Sequence, residues 1–144
     1  MLNKFLSELF TGKLNKSLSI LEDIPLEASV PNEVLTMLRL VIFKPEQSYL
    51  SYQKILNIWT KWGQPPLKPS PAKLKVLFLS DFTADHFSPM IKLFCAAQGV
   101  EAEVILPGFD SIEQTTLDPS SSMYECQPDI ISLIFSEYWL QKYI

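Results

Sequence analysis

Residues 79–87 read LSDFTADHF and bring five groups with chemical potential into one short loop. Ser80 offers a hydroxyl nucleophile, Asp81 and Asp85 offer carboxylates, Thr83 offers a second hydroxyl, and His86 is the one histidine in 144 residues. The preceding run KVLFLS is apolar, and open α/β folds keep their sites at the carboxyl ends of such strands. A serine activated by a histidine would serve acyl transfer, and an aspartate would serve phosphoryl transfer. Asp81, Asp85 and His86 together would make part of a metal site.

Each of these chemistries lacks a residue. Phosphotransferases of the haloacid-dehalogenase (HAD) type carry Asp-x-Asp-x-Thr after the first strand. Aligning Asp81 and Thr83 with that pattern puts Leu79 at the nucleophile, and leucine forms no aspartyl-phosphate. SGNH hydrolases carry Gly-Asp-Ser at this place. Aligned on Thr83, Asp81 falls where the serine belongs, Ser80 comes one position early, and the late Asp-x-x-His block is absent. Cobalamin domains need Asp-x-His-x-x-Gly, whereas Asp85 and His86 are adjacent. A metal site needs more ligands than the loop holds. Phosphate binding is disfavoured too, because the loop has no glycine and carries two negative charges. Ser80, Asp81 and His86 remain the catalytic candidates, against the plainer reading that the loop's polar residues cap the next helix.

The elements that would position this loop divide at the segment QPPLKPSPAK, residues 64–73, whose four prolines favour extended chain. Ahead of it, apolar residues recur at helical spacing: Leu2, Phe5, Leu6 and Leu9; then Leu14, Leu18 and Leu21; then Val34, Leu38, Val41 and Ile42, ended by Pro45; then Tyr52, Ile55, Leu56 and Trp59, with Gly63 as the stop. The aromatic series Tyr49, Tyr52, Trp59 and Trp62 is either core or a peptide groove. After the linker, LKVLFLS, AEVILP and DIISLIF read as strands buried in a parallel sheet. Ser88-Pro89 reads as the start of a helix, with an earlier start capped by Thr83 as the alternative; Ile91, Phe94 and Cys95 are expected to face inward and Gly99 to end it. The expected fold is α/β: a small helical bundle over residues 1–63, a proline-rich linker over 64–73, and a short parallel three-stranded Rossmann- or SGNH-like unit over 74–144. A loop of about 20 residues precedes the third strand. Such a unit leaves sheet faces uncovered, so either the helical half covers them or the chain is part of a longer protein.

Bulk properties narrow the classes. Sixteen acidic residues outweigh eleven lysines and Arg39, giving a net charge of −4 with no basic stripe, which argues against nucleic acid. Cys95 and Cys126 have no ligand neighbours at zinc spacing, and Cys95 reads as a buried free thiol. No apolar run approaches the roughly 20 residues of a membrane span, and the N-terminus lacks a signal-peptide core. A reducing cytoplasm is the expected compartment.

Read in order, KVLFLSDFT, SPMIKLFCAAQGVEAEVI and LDPSSSMYECQPDIISL resemble the N-terminal α/β region of FkbH-like proteins, over about residues 74–135. The resemblance rests on Phe82, Thr83, Gly99, Ala102 to Val104, Leu117 to Pro119, Ser121, Tyr124, Pro128 and Asp129. It implies an SGNH-like fold that has not kept its catalytic residues. Complete relatives add a HAD-type phosphatase domain with magnesium and move a glyceryl unit from a phosphorylated donor to an acyl carrier protein in polyketide assembly. No cofactor is expected in residues 1–144 themselves. The implied role is a non-catalytic accessory region that docks on a HAD-type catalytic domain or a carrier protein. The alternative is a degenerate SGNH- or HAD-like hydrolase, or a small-molecule binding module, using the loop Ser80 to His86. Thr83, Asp118 and Ser121 are the candidate binding residues, although Asp118-Pro119 followed by serines is also turn chemistry.

Overall fold

Apolar stripes of period 3.6 become four helices at the start of the chain: α1 (Leu2–Phe10), α2 (Leu14–Glu22), α3 (Asn32–Ile42) and α4 (Tyr49–Lys61). The computed structural model describes residues 2–24, 30–44, 47–69, 71–108 and 112–143. The expected stop at Pro45 lies outside the described residues. Phe5, Leu9, Leu18, Leu21, Val34, Leu38, Val41, Ile42, Ile55 and Trp59 are all buried, so each stripe faces a common core. α1 packs on α2 and α3, and α4 packs on α2 and α3. Ser48 caps α4 by accepting the Ser51 N–H at 3.2 Å. α4 ends in a Schellman turn: the Gly63 N–H reaches Thr60 O and the Gln64 N–H reaches Trp59 O, with φ of +75° at Gly63. Glycine adopts that conformation without the steric cost of a Cβ. The aromatic series is split, since Trp59 and Trp62 are core while Tyr49 is 58% exposed.

The chain divides into two units, Met1–Ser70 with Ala96–Gly99, and Pro71–Cys95 with Val100–Ile144. The second unit is α/β. Its elements run β1 (Ala72–Ser80), α5 (Phe87–Gln98), β2 (Val100–Ile105), α6 (Ile112–Leu117), α7 (Ser122–Glu125), β3 (Ile130–Ile134) and α8 (Glu137–Tyr143). The strands form one parallel sheet in the order β2-β1-β3. β1 starts at Ala72, so the end of the proline-rich segment is already strand. Being central, β1 is buried on both faces from Val76 to Ser80. Leu77 and Leu79 form a core with Ile112, against which Ile105, Met123 and Phe135 pack. On the opposite face Phe78 stacks on Phe87 of α5, with ring centroids 6.1 Å apart.

Three details depart from the sequence reading. α5 begins at Phe87, one residue before the expected cap, and Pro89 sits inside its first turn, where no intrahelical N–H bond is lost. Its buried residues are Leu93, Ala96 and Ala97, whereas Phe94 is 37% exposed. Several residues there are apolar at more than one helical phase, so period alone did not select the face. The stretch expected to be loop before β3 contains α6 and α7, which are too short for a periodic signal.

Candidate functional site

The loop after β1 is built by strand burial first and side-chain hydrogen bonds second. Ser80, the last residue of β1, is 3% exposed, and its Oγ donates to Phe82 O at 2.7 Å. A hydroxyl so placed folds the loop back on itself and is screened from solvent. Asp81 points across the sheet. Its Oδ1 accepts the Ser136 N–H at 2.7 Å and its Oδ2 accepts the Ser136 hydroxyl. Ser136 Oγ in turn accepts the Trp139 N–H at 3.2 Å, capping α8. Burial raises the Asp81 carboxyl, but the Ser136 hydroxyl, the Ser136 N–H and its own backbone N–H outweigh this and hold it below the ordinary carboxylate range.

A second aspartate closes the other end of the same ladder. Asp129 Oδ2 accepts the Lys75 N–H at 2.7 Å, the Asp129 N–H reaches Lys75 O at 2.9 Å, and Lys75 Nζ donates to Cys126 O at 3.2 Å. The β1–β3 pairing from Val76↔Ile130 to Ser80↔Ile134 is therefore held between two aspartates. Ser136 was not among the sequence candidates. Its one local signal was a serine preceding an acidic first helical turn at Glu137.

The remaining candidates separate. Thr83, Asp85 and His86 are exposed, and the His86 ring lies against Phe87 with centroids 4.3 Å apart. Ser80, Thr83 and Asp85 line one cavity of about 80 Å³ with Phe78 and Leu106, room for two or three waters. Asp118 and Ser121 lie on the α6–α7 connection. Asp118 Oδ1 accepts the Ser120 N–H at 2.9 Å and the Ser120 hydroxyl at 2.7 Å, which lowers its carboxyl pKa. Ser121 Oγ donates to Thr115 O, and Tyr124 Oη donates to Thr116 O at 2.9 Å. These bonds make a turn, with every acceptor supplied locally. Among the described residues no group of three or more His, Cys, Asp or Glu side chains comes together as a metal site. Cys95 and Cys126 are free thiols, and partial burial pushes the Cys95 thiol up. No described helix is long and apolar enough to cross a membrane.

No protein-family model matches this chain, and no curated protein sequence matches it. One solved structure is similar. It is the N-terminal part of the protein BF1531 from Bacteroides fragilis, containing a phosphatase domain and complexed with Mg, at 26% identity and a TM-score of 0.49 over 51% of this chain. The match takes in 20% of that chain, so the present sequence corresponds to a small part of it.

The Asp81–Ser136 clamp gives a pH prediction. A carboxyl whose folded pKa is depressed contributes stability above its unfolded pKa and loses it as the pH falls through the folded value. Thermal midpoints of the wild type are expected to fall from about pH 4 downward. The midpoint of Asp81→Ala is expected to lie lower at neutral pH and to converge with wild type in acid. Parallel curves at all pH would show that the clamp carries no stability.

Proposed function

We propose that this chain is a non-catalytic accessory region of an FkbH-like protein, acting by docking on a HAD-type catalytic domain or on an acyl carrier protein. The observation that carries the reading is β3. It is an edge strand, and Ile130, Ile131, Leu133 and Ile134 are 47%, 46%, 50% and 37% exposed. By register, Ile131 and Leu133 share the face of Leu77 and Leu79, while Ile130 and Ile134 share the opposite one. Both faces and the outer edge are thus apolar and open. Soluble proteins guard such edges with charge, and the outer strand β2 does so with Glu101 and Glu103, both exposed. β3 has no guard, and an uncovered apolar patch of this kind marks an interface. The loop supports the non-catalytic half of the proposal, because Ser80 is buried and both Asp81 oxygens are engaged.

The test is titration calorimetry of the chain against a separately expressed phosphatase-type domain of an FkbH-like protein, and against an acyl carrier protein. Saturable binding to either supports the proposal. A well-behaved monomer with affinity for neither overturns it.

The cavity at Ser80, Thr83 and Asp85 favours a second reading, a binding module for a very small polar ligand at the strand ends. At about 80 Å³ it is well below the roughly 300–1,000 Å³ of ordinary ligand sites. Thermal midpoints measured across a set of small uncharged alcohols and amides and small amines should rise for one of them on this reading, since the Asp85 carboxylate at the cavity would repel an anion. A flat response removes it.

A further inference from the structure

The helical unit carries a larger groove that the docking proposal does not use. Its volume is about 790 Å³, and it runs between α3 and the proline-rich segment. That size falls within the range of small-molecule sites. Leu35 of α3 together with Pro66 and Leu67 supplies apolar wall. Arg39, Lys61 and Lys68 line the groove, and among the described residues no Asp or Glu does, in a protein whose net charge is −4.

These cations are oriented without being neutralised. Arg39 Nε donates to Ala97 O at 3.0 Å, Lys61 Nζ to Glu22 O at 3.1 Å, and Lys68 Nζ to Gln98 O at 3.1 Å. Each acceptor is a backbone carbonyl, and no carboxylate pairs with any of the three among the described residues. Arg39 keeps its terminal N–H groups for another acceptor.

The second observation is a missing acceptor. Trp59 and Trp62 are both buried near the end of α4. The Trp59 indole N–H donates to Pro65 O at 2.9 Å. Trp62, which lines the groove and is 7% exposed, has a buried indole N–H with no acceptor among the described residues. Buried donors are almost always satisfied, so each exception needs a physical explanation.

From the uncompensated charge and the orphan donor we infer that this groove binds a small organic carboxylate with an apolar body. The carboxylate accepts from the Arg39 guanidinium and the Trp62 indole N–H, and the body lies on Leu35, Pro66 and Leu67. A dianionic phosphate suits the place less well, because Lys61, Trp62 and Gly63 are at the carboxyl end of α4, where the helix dipole is negative. The site is independent of the docking proposal.

The probe is 4-phenylbutyrate, added to the full chain while the tryptophan indole N–H signals are followed by ¹H–¹⁵N NMR. Trp62→Phe identifies its signal by deletion. The expected result is a saturable shift of the Trp62 signal with 4-phenylbutyrate, and a much smaller response to the uncharged 4-phenylbutyramide and to inorganic phosphate. Affinity, followed at the remaining signals, should fall about tenfold in Trp62→Phe, the size of one hydrogen bond to a charged acceptor. Lys68→Gln should weaken binding less, with its thermal midpoint reporting that the fold is intact. Absence of a saturable shift, or equal responses to the acid and the amide, or an unchanged affinity in Trp62→Phe, would each overturn the assignment. A stronger response to phosphate would overturn the carboxylate class.

Discussion

Leu77→Ala is expected to destabilise the α/β unit by about 2–5 kcal/mol, a large part of the 5–15 kcal/mol that ordinarily holds a domain together. Leu77 is fully buried at the middle of the central strand, with β2 on one side through Ile105 and β3 on the other through Ile131. Its side chain belongs to the cluster with Leu79 and Ile112, on which Met123 and Phe135 also pack. Truncation removes transfer free energy and leaves a cavity that a pleated strand, fixed by two ladders, cannot collapse to fill. The ring of Trp139 stacks on Phe135 at 4.1 Å between centroids, so tryptophan fluorescence should report the loss alongside circular dichroism. Urea unfolding is the measurement. Leu117→Ala, at an 80% exposed position, is the control and should change stability by less than about 0.5 kcal/mol. Equal effects of the two substitutions would contradict the central place of β1.

On the docking proposal, Leu133→Lys is expected to weaken binding at the β3 edge by at least about tenfold while leaving the chain folded. Leu133 is half exposed, so a lysine there keeps its charge in water and removes little from the core. At an interface the same charge would be desolvated without a partner, a loss of at least about tenfold in affinity and more if Leu133 sits at the interface centre. A lysine also guards an open edge against strand addition, so the variant should be less prone to self-association. Calorimetry against the phosphatase-type domain and light scattering of the chain alone give the two readouts. Unchanged affinity in Leu133→Lys would move the interface away from β3.

Much of the architecture was readable because helices and strands announce themselves by local periodicity. The stripes Val34, Leu38, Val41 and Ile42, and Ile55 with Trp59, are buried as their spacing requires. α6 and α7 were not readable. With six and four residues they hold at most one or two turns, and they exist because Ile112 packs on Leu77 and Leu79 while Ser121 and Tyr124 bond back to α6. Phe94 of α5 is exposed where its spacing predicts burial, for the related reason that a helix apolar at several phases is oriented by its neighbours.

The sequence by itself determined the element types, the parallel α/β class and the position of the LSDFTADHF loop after the first strand, since period and strand–helix–strand order are local properties. Only the tertiary structure decided what the loop's residues do. Asp81 and Ser136 are 55 residues apart in the chain, and sheet order alone brings them within hydrogen-bond reach. Trp59 and Trp62 read alike in the aromatic stripe, yet Pro65 supplies an acceptor to one and none to the other. The apolar run of β3 reads as a buried strand, but at the sheet edge its side chains remain exposed. In each case the outcome depends on a partner distant in sequence, and no pattern of residue types along the chain encodes which partner arrives.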